Sequence, residues 1–114
     1  MTPITQARDW LTDPDRFHGE WQGGPQGANI CVIVNEIETV GGGPRLHRHP
    51  YAETFVIRRG HGLFIVGDER IEAGAGAILV VPADTPHRFE NLGPGMLATI
   101  DIHENGTFIT EWLE

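Results

Sequence analysis

The chain has 114 residues, with 16 acidic against 8 basic side chains and a formal charge of −8, a length that lets one domain bury a core without disulfides. That acidic balance, unbroken by any basic run, disfavours phosphate backbones and anionic lipid surfaces, so neither nucleic-acid nor membrane partners are expected. No apolar run approaches the roughly 20 residues of a bilayer span, and the first fifteen residues carry Asp9, Asp13 and Asp15 where a secretory signal would be apolar; a cytoplasmic protein is expected.

Taken in order, residues 5–12 set Ala7, Trp10 and Leu11 on one face and predict a short helix. Gly23-Gly-Pro-Gln-Gly27 reads as a flexible loop, so residues 1–27 are expected to be an N-terminal arm and loop packing on a main domain of residues 28–114. From there 15 glycines and 8 prolines cut the chain into short β-rich runs, the pattern of an all-β sandwich or barrel. Strands are predicted at 30–39, 53–58, 62–66, 77–81, 87–91, 96–103 and 108–113. Gly67-Asp-Glu69 and Asn105-Gly106 are candidates for tight hairpin turns. Cys31, the only cysteine, sits in the apolar run Ile30-Cys-Val-Ile-Val34 and reads as a buried, inert thiol.

The chemistry concentrates in His47, His49, Glu53 and His87. Alternate residues of an extended strand share a face, so His47 and His49 project together. A carboxylate four residues on and a third imidazole from a distant strand would complete three nitrogens and one oxygen. That set suits one divalent ion of iron, manganese, nickel, cobalt, copper or zinc, with open positions where six ligands are preferred.

These residues stand in a wider pattern. Gly41, His47, His49, Glu53 and Gly60 match G-x5-H-x-H-x3-E-x6-G; Gly76, Pro82, His87 and Asn91 match G-x5-P-x-G-x2-H-x3-N. The chain thereby resembles the small single-domain cupins. It departs from the pattern at Asp84, where glycine is usual; aspartate tolerates left-handed turn geometry better than most residues. The resemblance implies a jelly-roll barrel, a double-stranded β-helix, holding the metal inside on His47, His49, Glu53 and His87. A barrel that has lost its metal would leave these buried groups needing other polar partners.

Strand parity suggests the pocket walls. Phe55 shares a face with Glu53, and Phe89 with His87, so both would line an apolar cavity, although plain core packing would place them equally well. Arg45 shares parity with His47; pointing inward it would clamp a carboxylate or phosphate, and pointing outward it would be a solvated rim residue. His103 ends an alternating run and would face the cavity as an acid/base group or simply close a strand. Tyr51 has the same parity as His49, but Pro50 obscures its direction. His18 and His61 read as loop residues without a role. Of the apolar load of Trp10, Trp21, Phe108, Trp112 and Leu113 in the terminal segments, some is expected to cap the barrel and the rest suggests a homodimer interface.

No catalytic residue beyond the metal ligands is assignable, so the ion must carry any reaction. The cupins that the chain resembles span dioxygenases, isomerases, lyases and decarboxylases, and the open coordination positions favour a metal-dependent enzyme acting on a small organic molecule, with dioxygenase-type oxidation first. Lewis-acid isomerase or lyase chemistry, and non-enzymatic ligand binding, are the alternatives.

Overall fold

A computed structural model describes residues 2–114. Helix α1 (Ala7–Trp10) leads into β1 (Leu11–Asp13) and β2 (Arg16–Gln22), and a 3-10 turn (Gly24–Gln26) precedes β3 (Cys31–Ile37). The remaining strands are β4 (His47–Arg48), β5 (Glu53–Arg59), β6 (His61–Val66), β7 (Glu69–Gly74), β8 (Ile78–Val81), β9 (His87–Asn91), β10 (Leu97–His103) and β11 (Glu111–Trp112). They form a six-stranded sheet, β1-β2-β3-β10-β5-β8, and a five-stranded sheet, β11-β4-β9-β6-β7. The pairings among the described residues are antiparallel, and from β3 onward the chain crosses between the two sheets at every step except the β6–β7 hairpin, as in a jelly roll.

The N-terminal segment departs from expectation. The helix keeps only four residues, closed by reciprocal bonding between Gln6 and Asp9, because the chain then turns into the sheet. Leu11 pairs with Gly19, and a side chain on Gly19 would meet the Trp10 carbonyl oxygen at 2.4 Å. β2 goes on to pair with β3, Gly19 opposite Val34 and Gln22 opposite Cys31. Residues 11–22 are therefore strands of the larger sheet rather than an arm lying against it.

Val66 pairs with Glu69 across a two-residue turn at Gly67-Asp68, as expected. Asn105-Gly106 makes no hairpin: β10 lies in one sheet and β11 in the other. Asn105 instead turns its amide onto the Thr107 carbonyl, and the Gly106 carbonyl accepts the Gly24 N–H at 2.8 Å. The segment between them carries the chain across from one sheet to the other.

Alternation sets the interior. Glu53, Phe55 and Ile57 of β5, His87, Phe89 and Asn91 of β9, and Leu97, Thr99, Asp101 and His103 of β10 are all buried. Phe55, Phe64 and Phe89 meet at ring-centroid distances of 5.3 to 5.4 Å, and Ile57, Val81 and Leu97 complete the apolar core. Each such side chain removed from water stabilises the fold by about 1.5–3 kcal/mol. Glu53, His87 and His103 gather at one end of this core, where the ring centroids of Phe55 and His87 lie 6.2 Å apart. Asn91 instead donates to the Ile37 and Gly95 carbonyls at the other end of β9.

Across the six-stranded sheet the register aligns rows of neighbours. Glu53 faces His103, which faces Cys31. One pleat along, Phe55 faces Asp101, Asp101 faces Ile33, and Ile33 faces Glu20.

Candidate metal centre

β4, β5 and β9 converge where His47 stands opposite His87 in the smaller sheet and Glu53 enters from the larger one. Two turns secure the approach. Gly60, the last glycine of the first motif, has φ of 84° and lies so close to the Met96 carbonyl that a side chain could not fit. Asp84 has φ of 61° and supplies the left-handed conformation glycine usually provides; its N–H donates to the His49 carbonyl at 2.7 Å.

His47, His49, Glu53 and His87 are all buried, and one ligand atom from each lies within 4.8 Å of the others. The imidazoles are oriented from behind. Nδ1 of His47 lies 2.6 Å from the Arg45 carbonyl, that of His87 2.8 Å from the Thr85 carbonyl, and that of His49 2.9 Å from the Ile109 carbonyl. A carbonyl only accepts, so each Nδ1 must carry the hydrogen and each Nε2 presents a lone pair. Backbone acceptors behind imidazoles are how proteins orient metal-binding histidines.

Those lone pairs meet a carboxylate. Oε1 of Glu53 is 3.0 Å from Nε2 of His87 and 3.1 Å from Nε2 of His49, and Nε2 of His49 has no hydrogen-bond partner despite complete burial. Acceptors packed this closely repel unless positive charge lies among them. The donor set and its crowding thus fit a divalent transition ion held by His47, His49, Glu53 and His87. Burial alone would raise the Glu53 pKa, but the contacts from His103, His49 and His87 outweigh it and hold the group well below the usual carboxylate range. Burial, reinforced by its imidazole neighbours, lowers the pKa of His47 despite the Arg45 carbonyl, which favours the neutral, ligating form.

His103 is also in the cluster, buried, with Nε2 3.2 Å from Oε2 of Glu53. Its orientation is reversed by Tyr51, whose hydroxyl lies 2.7 Å from His103 Nδ1 and receives the Ile109 N–H at 3.3 Å. With His49 Nδ1 already donating to Ile109, the Tyr51 hydrogen has one acceptor, Nδ1 of His103. The hydrogen of His103 therefore sits on Nε2, unlike that of the three other imidazoles.

A cavity of about 480 Å³ opens beside the cluster. Phe55 and Phe89 line it as well as packing in the core, so both readings of these residues hold together. Ile33, Ile37, Phe108 and Trp112 extend its apolar wall, and Asn35, Asp101, Glu20, His18 and Thr110 supply polar groups. Arg45 does not line it. β4 begins only at His47, so strand parity does not reach residue 45; the side chain is exposed, its guanidinium 5.0 Å over the Trp112 ring.

Sequence reasoning missed four contributors. His18 lies on β2, accepts the Glu36 N–H at Nδ1 and lines the cavity, whereas it read as a loop residue; alternation through Phe17-His18-Gly19-Glu20 was the available signal. Tyr51 and Asp101 offered only their parity with His49 and His103, and Asn35 nothing, because their partners come from strands remote in sequence. Asp101 is held well above the ordinary carboxyl range by burial and then by the charge of Glu53, opposed by the Thr99 hydroxyl and Asn35 amide. Its exposure is only 3%.

The family model described as a cupin domain matches residues 36–103, well over half of the chain. The chain is a cupin. A further relative is an uncharacterized protein of Methanocaldococcus jannaschii, 34% identical to this cupin over 62 residues. The match spans 54% of this chain and 50% of that protein, so only about half of the relative's length is represented. Among solved structures, oxalate decarboxylase of Lactobacillus farciminis, in a formate complex, superposes with a TM-score of 0.78 at 22% identity over 95% of this chain and 35% of that one. Oxalate decarboxylase of Bacillus subtilis, studied for its Mn(II) centres, gives 0.75 at 20% identity over 83% and 27%. At such identities the likeness shows the shared barrel alone, and this cupin spans about a third or less of those chains.

Proposed function

We propose that this cupin is a metal-dependent enzyme acting on a small organic molecule, with dioxygenase-type oxidation as the favoured reaction. The observation that carries the reading is the set of three imidazoles whose Nδ1–H groups are tied to carbonyls, so that their Nε2 lone pairs crowd the Glu53 carboxylate beside a cavity. When bound, the ion supplies an electrophilic centre with open coordination positions. The chain supplies the remainder. Glu53 stays anionic and balances part of the ion's charge, Phe55 and Phe89 exclude water, and Tyr51 fixes the N–H of His103 beside the reacting space.

Elemental analysis of the purified protein tests the metal. One transition ion per chain is expected, and its loss in the His47→Ala/His49→Ala variant; unchanged metal in that variant would overturn the ligand set. Anaerobic Fe(II) loading followed by O2 uptake against a panel of small acids tests the reaction. Substrate-dependent uptake supports oxidation. Turnover without uptake supports the second reading, Lewis-acid lyase or isomerase chemistry, which the buried carboxyl of Asp101 favours as a group that holds a proton inside the cavity. Tight binding without turnover would make the protein a ligand-binding cupin.

The protein is further proposed to work in the cytoplasm as a homodimer. Ile78 and Val80, 68% and 58% exposed on edge strand β8, support an interface there. Among the terminal apolar residues, Phe108 and Trp112 line the cavity, while Trp112 and Leu113 keep exposed surface of their own.

A further inference from the structure

β10 presents two buried polar atoms that no hydrogen bond accounts for. Nε2 of His103 and Oδ1 of Asp101 lack partners, in side chains 2% and 3% exposed. Both residues line the cavity, and alternate strand residues share a face at a spacing of about 6.6 Å. Their other contacts fix what they offer. Tyr51 occupies Nδ1 of His103, so Nε2 is a donor; Oε2 of Glu53 lies 3.2 Å away but off the line of a well-formed bond. Asn35 occupies Oδ2 of Asp101 at 2.9 Å, leaving Oδ1.

An orphaned buried polar group costs about 1–3 kcal/mol. Two of them on one face of one strand, within a cavity and beside a metal cluster, mark where a ligand makes up the deficit. The charges narrow that ligand. All eight basic residues of the chain are arginines, and none lines the cavity. A divalent ion beside Glu53 leaves one positive charge for a ligand to balance, and beyond it the cavity offers the carboxyls of Asp101 and Glu20 and no arginine to receive a second anionic group.

We propose that His103 and Asp101 read the substrate, a small molecule with an acceptor oxygen at the metal cluster, a hydroxyl or amide one pleat further along β10, and no second negative charge. A hydroxyl suits the position because it donates and accepts, and so pairs with the Asp101 carboxyl whether or not that carboxyl holds its proton. The inference rests on the metal-dependent reading above and assigns its substrate class.

Three four-carbon probes share a carboxylate head and differ at the far end: butyrate, 4-hydroxybutyrate and succinate. Calorimetric titration into manganese-loaded full-length protein is expected to show 4-hydroxybutyrate binding roughly tenfold more tightly than butyrate, the worth of one hydrogen bond, with succinate weakest. In Asp101→Ala the advantage of the hydroxyl disappears while butyrate binding stays. In His103→Phe all three weaken while metal content is kept. Equal affinities, a preference for succinate, or binding by none of the three overturns the proposal, and these outcomes are read in the wild-type protein without reliance on a variant's folding. A chain that takes up no transition ion defeats the metal reading instead, and the same titrations on metal-free protein then decide the β10 wall alone.

Discussion

Tyr51 decides which nitrogen of His103 carries a hydrogen, although it holds only a variable position of the first motif. Its hydroxyl bridges the Ile109 N–H and His103 Nδ1. Tyr51→Phe leaves that buried nitrogen without a donor, and a loss of about 1–3 kcal/mol is expected in urea denaturation, with metal stoichiometry unchanged; a wild-type midpoint would remove Tyr51 from this role. Asp101 makes a second residue-level prediction. Burial first, and the charge of Glu53 second, raise its pKa well above 3.8. A folded-state pKa above the unfolded one means a stabilising contribution that is full below pH 3.8 and is lost as pH rises through the folded value. The melting temperature of metal-free wild type should therefore fall relative to Asp101→Asn as pH rises from 3.8, and parallel curves would contradict it. Glu53 acts in the opposite sense, its contribution fading as pH falls below 4.5, so the comparison with the Asn variant is what isolates Asp101.

Strands differed in how plainly they could be read. β5 and β9 each bury one face of an alternating strand and were legible with their inward residues, whereas β10 turns Thr99, Asp101 and His103 inward and leaves Ile100 and Ile102 less buried, the reverse of apolar patterning. β7, Glu-Arg-Ile-Glu-Ala-Gly, offers only Ile71 and Ala73 to the interior because it is the edge of its sheet, and it carried too little pattern to be seen. β2 was hidden by Gly19, whose smallness serves contact with Trp10 rather than strand propensity. The ligand set was legible because the shared parity of His47 and His49 pointed to a metal and the match to both motifs brought in Glu53 and His87. The cavity wall was not, since Asn35 and Asp101 meet only through the β3–β10 register. The turn between β8 and β9 yields a prediction of its own. Asp84 holds φ of 61° at some strain, so Asp84→Gly should stabilise the protein by about 0.5–1 kcal/mol while keeping the bond to the His49 carbonyl. A destabilised variant would show that the Asp84 side chain has a part of its own.

At the scale of the whole molecule, the exposed edge of β8 and the metal cluster set two expectations. Light scattering at micromolar concentration should find a dimer for the wild type and a monomer for Val80→Glu, since a charge replaces apolar surface at the edge; a monomeric wild type would end the dimer proposal. Metal removal should lower stability by about 2.7 kcal/mol relative to protein held at a hundredfold excess of the ion over its dissociation constant, and scanning calorimetry with and without chelator measures it. The crossing of the chain after β10 has a further consequence, in the timing of assembly. Ile109 supplies the carbonyl behind His49 and the N–H to Tyr51, and β11 then pairs with β4 so that Trp112 lies 5.0 Å from His47. The ligands are made in mid-chain, but the carbonyl that aims His49 is synthesised well after them. A nascent chain still short of residue 109 would hold His47 and His87 aimed by Arg45 and Thr85 but leave His49 without its acceptor, so that the three imidazoles become oriented together only once the segment after β10 has been made.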